Sequence, residues 1–251
     1  VCTLATYVGC LAGWPLVVAA NRDEFLSRPS KPPELLRATE PRAFGGRDVT
    51  AGGTWLGVSE FGLVAGVLNR RTGAPPDGAR RSRGRLCLEL LACRTAAEAA
   101  ERIAAEPPAR YNAYNLLAAD AATAVVATQP QDGSTCLVTL PAGLHLLTNL
   151  DLNDPTCPRI AASHRRFADA GETFARDGDV EGFVARLQAI LADHATALDP
   201  RGPGSLCVHA DGFGTRSSSV LLLPAAGRPI RYFHADGPPC RVPLAPVALP
   251  F

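Results

Sequence analysis

The hydrophobic period of this chain changes four times along its length, and that order of blocks constrains the fold more than any other feature. Residues 2–8 and 15–20 read as two strands joined across residues 9–14. Residues 21–33 are polar and proline-bearing, which predicts a loop. Gly45-Gly46-Arg47-Asp48 and Gly52-Gly53 read as turn punctuation, and 54–58 with 63–68 as a hairpin about Ser59-Glu60-Phe61-Gly62. Leu86, Leu90, Cys93 and Ala97 then recur at helical spacing. Thr95 followed by Glu98 is a capping-box signature, so helices are predicted over 82–93 and 96–106, ended by Pro107-Pro108. Strands are predicted again over 113–119, 123–129, 136–140 and 143–148. Helices follow over 158–171 and 179–193, the latter with Phe183, Leu187, Ile190 and Leu191 on one face, then strands over 205–208, 215–223 and 229–234. Strands, helices, strands, helices, strands, with no repeat or linker, predict one α+β domain over residues 1–251. Its antiparallel sheets would be layered against helices.

Composition removes several function classes. The 251 residues carry a formal charge of +1, which gives no footprint for nucleic acid and no polybasic patch for a membrane surface. No unbroken apolar run of membrane-spanning length occurs, so no membrane span is expected. Residues 4–20 are mostly apolar, but no Lys or Arg precedes them and Gly13-Trp14-Pro15 breaks them, so they are not read as a secretory signal. A cytoplasmic location is the expectation.

The eight cysteines stand singly, with no C-x-x-C pair, and are expected to be buried, reduced thiols. The five histidines lack the i,i+4 pairing that grips a metal, so no metal site and no cofactor is assigned. The glycines form neither G-x-G-x-x-G nor a P-loop, and Ser217 to Ser219 is not a G-x-S-x-G elbow.

Cys2 carries the chemical argument. The chain contains no methionine and begins with Val, as naive translation of a GTG start would give, so residue 1 is expected to be removed. Cys2 would then hold a free α-amine. A thiolate rather than a thiol is the nucleophile, and an amine with a reference pKa of roughly 7.7–8.0 can take the thiol proton without any histidine. Read by itself, Cys2 equally suits the start of a buried strand.

Five segments occur in order: Cys2-Thr3-Leu4, Asn21-Arg22-Asp23-Glu24, Gly46-Arg47-Asp48, Gly52-Gly53-Thr54-Trp55-Leu56-Gly57 and Thr215-Arg216-Ser217-Ser218-Ser219. The pattern resembles the NRDE family, also called the transport and Golgi organisation family, over essentially the whole chain. More distantly it is similar to the cysteine N-terminal nucleophile hydrolases, such as penicillin V acylase and bile salt hydrolase. That resemblance implies a four-layer αββα sandwich and cleavage of a non-peptide amide bond in a small molecule. It also implies Cys2 as nucleophile, Asp23 as the carboxylate that orients its amine, Asn69 as oxyanion donor, Asn149 as a second polar group and Arg216 as a nearby cation. Asn21, Arg22, Arg47 and Trp55, from the same motifs, are the candidates to contact substrate. The alternative on the same scaffold is a binding or trafficking protein for haem or an acyl lipid.

The residues also admit simpler readings. Asn69 and Asn149 close apparent strands, where Asn commonly turns the chain. Arg22, Asp23, Glu24 and Arg47 could form a surface ion-pair group, and Trp55 suits the core or its rim. One departure stands out: the hydrolases place an Arg directly before the strand-end Asn, where this chain has Ala20. Arg22 is expected on the opposite face of a continuing strand, reaching the site only if the chain turns at Asn21.

Overall fold

The computed structural model describes residues 2–195, 204–225 and 228–251, so residue 1, whose removal the sequence suggests, lies outside the described residues. In chain order the strands and helices are β1 (Thr3–Leu11), β2 (Trp14–Phe25), β3 (Ser30–Arg37), β4 (Ala43–Asp48), β5 (Leu56–Ser59), β6 (Val64–Asn69), α1 (Arg83–Leu90) and α2 (Ala96–Ala104). They continue as β7 (Tyr114–Ala119), β8 (Ala124–Gln129), β9 (Cys136–Thr139), β10 (Gly143–Leu147), α3 (Pro158–Asp177), α4 (Val180–Leu191), β11 (His209–Ala210), β12 (Phe213–Leu223), β13 (Arg231–Ala235) and β14 (Ala245–Val247). The chain divides into two compact units: residues up to 28 with 142–248, and residues 29–141 with 249–251. No helix among the described residues is long and apolar enough to cross a membrane.

The first unit is an antiparallel sheet in the order β10-β1-β2-β12-β13-β14, with β11 on β12. Alternate residues of its central strands, among them Ala5, Tyr7, Val17, Ala19, Val220 and Leu222, form one core with Phe167 and Phe174 of α3 and Phe183, Leu187, Ile190 and Leu191 of α4. The Phe174 and Phe183 rings stack at 4.4 Å. The Tyr7 hydroxyl, deep in that core, donates to the Phe167 carbonyl at 2.6 Å. Gly171 lets α3 approach β1 closely, because a Cβ there would stand 2.8 Å from the Tyr7 ring.

The second unit is a seven-stranded antiparallel meander, β3 through β9 in sequence order. Helices α1 and α2 cover it with Leu86, Leu90, Ala96, Ala99 and Ile103. Thr95 caps α2 as expected, its side chain accepting from the Glu98 amide at 3.1 Å while Glu98 reaches back to the Arg94 amide at 2.8 Å. Ala97, expected on the buried face, is exposed: the break before Ala96 resets the helical phase so that Ala96 and Ala99 point inward.

Several expectations need correction. Residues 21–25 do not loop; β2 runs on through them because β12 continues its ladder as far as Phe25. Residues 30–37 and 43–48 form β3 and β4 despite their prolines and glycines. Gly45 is a strand residue because a Cβ there would meet the Leu56 carbonyl at 2.4 Å, a close approach only glycine permits. Residues 205–208 lie outside any strand, and the short β11 begins at His209. Four cysteines are buried as expected (Cys87, Cys93, Cys157 and Cys207), but Cys10, Cys136 and Cys240 are exposed and Cys2 is half-buried.

Candidate active site

Neighbouring strands of the first unit set Cys2 and Arg22 in one row, with Asn149 just beyond the end of β10. Thr3 pairs with Asn21 on β2, and Leu4 pairs with Leu147 on β10. One residue beyond Thr3, the β1–β2 register brings Arg22 level with Cys2, while Asn149 lies in the bend two residues past the end of β10. Because Ala5, Tyr7, Val17 and Ala19 face the helices, the row lies on the opposite face of the sheet. Arg22 and Asn149 are buried. The Cys2 thiol points at the Asp23 carbonyl, Sγ to O 3.8 Å. Cys2 keeps some solvent contact, yet the protein around it is dense enough that burial pushes its thiol pKa up. The Asp23 charge adds to that effect and the Arg22 charge opposes it.

The other face at the same strand end holds a buried ion pair. Asp23 accepts from Thr215 Oγ1 at 2.6 Å and from Arg159 Nη1 at 2.8 Å, and that nitrogen also donates to Thr3 Oγ1 at 3.1 Å. The side chains of Arg159 and Asp23 are 2% and 0% exposed. Asp23 is therefore fixed by a guanidinium and a hydroxyl, with its backbone against the thiol of Cys2. Asn21 beside it is committed to the protein: its amide donates to the Leu191 and Leu206 carbonyls at 2.8 and 2.9 Å, and its oxygen accepts from Ser218.

Arg22 departs from expectation. The strand does not turn at Asn21, and residues two apart on a strand share a face, so Arg22 lies on the side of Ala20 and Cys2 rather than the reverse. Its charge acts on the Cys2 thiol. Arg216 is not in the row. It is the extra residue of a β-bulge between Thr215 and Ser217, which turns its guanidinium to the Leu26 carbonyl at 2.5 Å. There it lines an open cleft of about 410 Å³ with Leu26, His209, Phe213 and Asp236.

The remaining candidates belong to the second unit. Asn69 ends β6, is exposed, and lines a pocket of about 210 Å³ with Arg70, Thr72, Arg83 and Asn112. Arg47 pairs with Glu34 across β3 and β4, a partner outside the group of Arg22, Asp23, Glu24 and Arg47 that the sequence suggested. The Trp55 indole abuts Gly46, where a Cβ would be 2.1 Å from Cζ2. Gly53 likewise abuts the backbone of Gly84, whose carbonyl accepts from the Thr54 amide at 3.0 Å. This glycine-tryptophan motif thus seats β4 against the Trp55 ring and the turn before β5 against α1.

Two residues of the site carry no role in the sequence reading: Arg159 and Thr215. Thr215 heads a motif that was visible, but Arg159 is 136 positions from its partner and gives no signal beyond an Arg after the Pro that opens a helix.

Comparison with known proteins places these features in context. The family described as Transport and Golgi organisation 2 matches residues 1–233. A Transport and Golgi organization protein 2 homolog of Homo sapiens is 29% identical over 234 residues, covering 84% of this chain and 83% of its own. Its counterpart in Bos taurus is 30% identical over the same shares. Among solved structures, a Caenorhabditis elegans N-acylethanolamine-hydrolyzing acid amidase ortholog superposes with a TM-score of 0.60 at 14% identity, covering 88% of this chain and 92% of its own. Penicillin V acylase from Agrobacterium tumefaciens gives 0.54 at 13% identity, covering 94% and 92%. The likeness establishes the N-terminal nucleophile hydrolase fold, the αββα type expected from the sequence.

Proposed function

This chain belongs to the Transport and Golgi organisation 2 family, and we propose that it is an N-terminal-cysteine amidohydrolase that cleaves a non-peptide amide bond in a small molecule once residue 1 has been removed. The observation that supports the reading is the Cys2 thiol at the start of β1, set against the backbone of an Asp23 whose carboxylate Arg159 and Thr215 hold. The names of the solved relatives, an acid amidase and an acylase, supply the reaction class.

In the proposed cycle the freed α-amine takes the Cys2 thiol proton, which matters because burial disfavours the thiolate at this position. The sulfur attacks the amide carbon, and the carbonyl π electrons move to oxygen. In this reading the Asn149 amide and the Arg22 guanidinium, both buried, are assigned to meet that negative charge, and loss of one such donor costs about 10²–10³ in rate. Collapse breaks the C–N bond, the leaving nitrogen takes the proton from the α-ammonium, and a thioester remains on Cys2. Water, deprotonated by the same amine, hydrolyses it. Asp23 keeps the amine oriented, a task that requires a carboxylate with no freedom of its own.

Intact-mass measurement, alkylation and an amide panel test the proposal together. The expected result is a chain that starts at Cys2, a thiol at that position that a small alkylating agent modifies fastest, and turnover of at least one acyl amide that Cys2→Ser abolishes. A mature chain that retains residue 1, or a Cys2 that stays unmodified in the native protein, overturns it. Saturable binding of haem or an acyl lipid that survives Cys2→Ala, with no amide turned over, would favour the trafficking alternative.

A further inference from the structure

Four metal-ligating side chains from three separate segments of the sequence meet in the first unit. His194 follows α4, Cys207 and His209 flank Val208 at the start of β11, and Cys240 lies in the turn after β13. One ligand atom from each lies within 4.8 Å of the others. The Cys207 and Cys240 sulfurs are 3.7 Å apart, and His209 Nε2 stands 3.5 Å from the first and 3.2 Å from the second. A tetrahedral zinc ion with Zn–S of about 2.3 Å and Zn–N of about 2.0–2.1 Å sets its ligand atoms about 3.8 Å apart for two sulfurs and about 3.6 Å for sulfur and nitrogen. The separations among Cys207, His209 and Cys240 lie within about 0.4 Å of those of such a coordination shell.

The histidine tautomer suits the role. His194 Nδ1 donates to the Cys207 carbonyl at 2.9 Å, which fixes the proton on Nδ1 and leaves Nε2 as the lone-pair donor. The carriers are braced to one another. The Cys207 amide donates to the Asp193 carbonyl at 2.9 Å, and Gln188 of α4 holds the 239–244 segment through the Pro239 carbonyl at 2.9 Å and the Leu244 amide at 2.9 Å. A set of two thiolates and two imidazoles favours zinc over magnesium or calcium.

We infer that His194, Cys207, His209 and Cys240 form a structural zinc site. Four protein ligands close the coordination sphere, which distinguishes it from a catalytic site with an open position. The expectation that the chain holds no metal site rested on the spacing of ligands along the sequence, and the fold brings them together from three separate segments. The site would brace the 206–208 segment, whose Leu206 carbonyl accepts from Asn21 and whose Val208 amide donates to Thr215, at 2.9 Å in each case. Both contacts lead to the strand end that holds Asp23, but the zinc assignment does not depend on what Cys2 does.

The test uses the full chain purified without chelator under argon. Elemental analysis is expected to give one zinc per chain, retained on dialysis and in Cys2→Ser, and lost in Cys240→Ser and in His209→Ala. Cys240 is exposed, so its substitution leaves the core intact. Cobalt exchanged for zinc is expected to show the intense visible bands of a tetrahedral thiolate complex, absent in Cys240→Ser. Parent protein with less than a tenth of an equivalent of zinc and no cobalt bands overturns the inference. So does peptide mapping that finds Cys207 and Cys240 joined as a disulfide, or zinc content unchanged in both variants.

Discussion

Asp23 and Arg159 form a single buried ion pair, and the consequence of breaking it is lopsided. Removing one partner leaves the other charged and desolvated, which costs about 3–5 kcal/mol, while removing both leaves no unpaired buried charge and costs less than the two losses added together. Arg159→Ala is therefore expected to lower the denaturant midpoint sharply, and Arg159→Ala with Asp23→Ala less than the sum of the two single changes. Urea unfolding of the three variants measures this. Thr215 and Thr3, which share the pair's hydrogen bonds, set how completely it is satisfied. His234 poses a second residue-scale question. It is buried beside Ser219, whose hydroxyl lies 2.9 Å from Nδ1, and burial pushes its pKa down to about 4 from an ordinary 6.5. The unfolded chain then binds a proton between pH 6.5 and 4 that the folded chain refuses. This residue's share of stability is intact above pH 6.5, falls as pH drops toward 4, and amounts to at most about 3 kcal/mol. A pH series of unfolding midpoints should show a shallower decline over that window in His234→Gln than in the parent.

At the scale of the elements, glycine positions decide how closely layers approach. A Cβ at Gly46 would enter the Trp55 ring at 2.1 Å. Gly46→Ala is expected to destabilise by about 1–3 kcal/mol through overpacking, and Trp55→Leu in the same chain to recover part of the loss. Chemical denaturation of the single and double variants decides it. Helix α2 offers a milder probe. Thr95→Ala removes the side-chain cap and is expected to cost about 1 kcal/mol, with Thr95→Ser close to the parent. The pairing of β2 with β12 explains why a polar stretch became strand. Asn21, Asp23 and Ser218 find buried partners there, so the ladder extends where polarity alone suggested a loop.

Across the whole molecule the thiols form a readout of the fold. Cys87 is fully buried, and burial pushes its pKa far up, so it should resist alkylation until global unfolding, whereas Cys10 and Cys136 should react in the native state. Timed alkylation with peptide mapping checks this, and early labelling of Cys87 would contradict the packing of α1 on the sheet of the second unit. The periodic blocks made the architecture legible: α1 to α4 and most strands lie near their expected positions, because helical and strand periods are local properties that tertiary contacts here reinforce. The motif order likewise made Cys2 and Asp23 visible as candidates. Two kinds of feature were not written in that order. Strands β3 and β4 exist because neighbouring ladders accept proline and glycine at particular registers, which only pairing reveals. Arg159 reaches Asp23, and His194 meets Cys207, His209 and Cys240, through antiparallel strands and helices that return the chain to the same place. The sequence alone determined the four helices, most of the strands and the sulfur that stands just before β1. Tertiary structure decided which charges share a buried space, because the cost of burying a charge depends on partners that chain closure brings within reach.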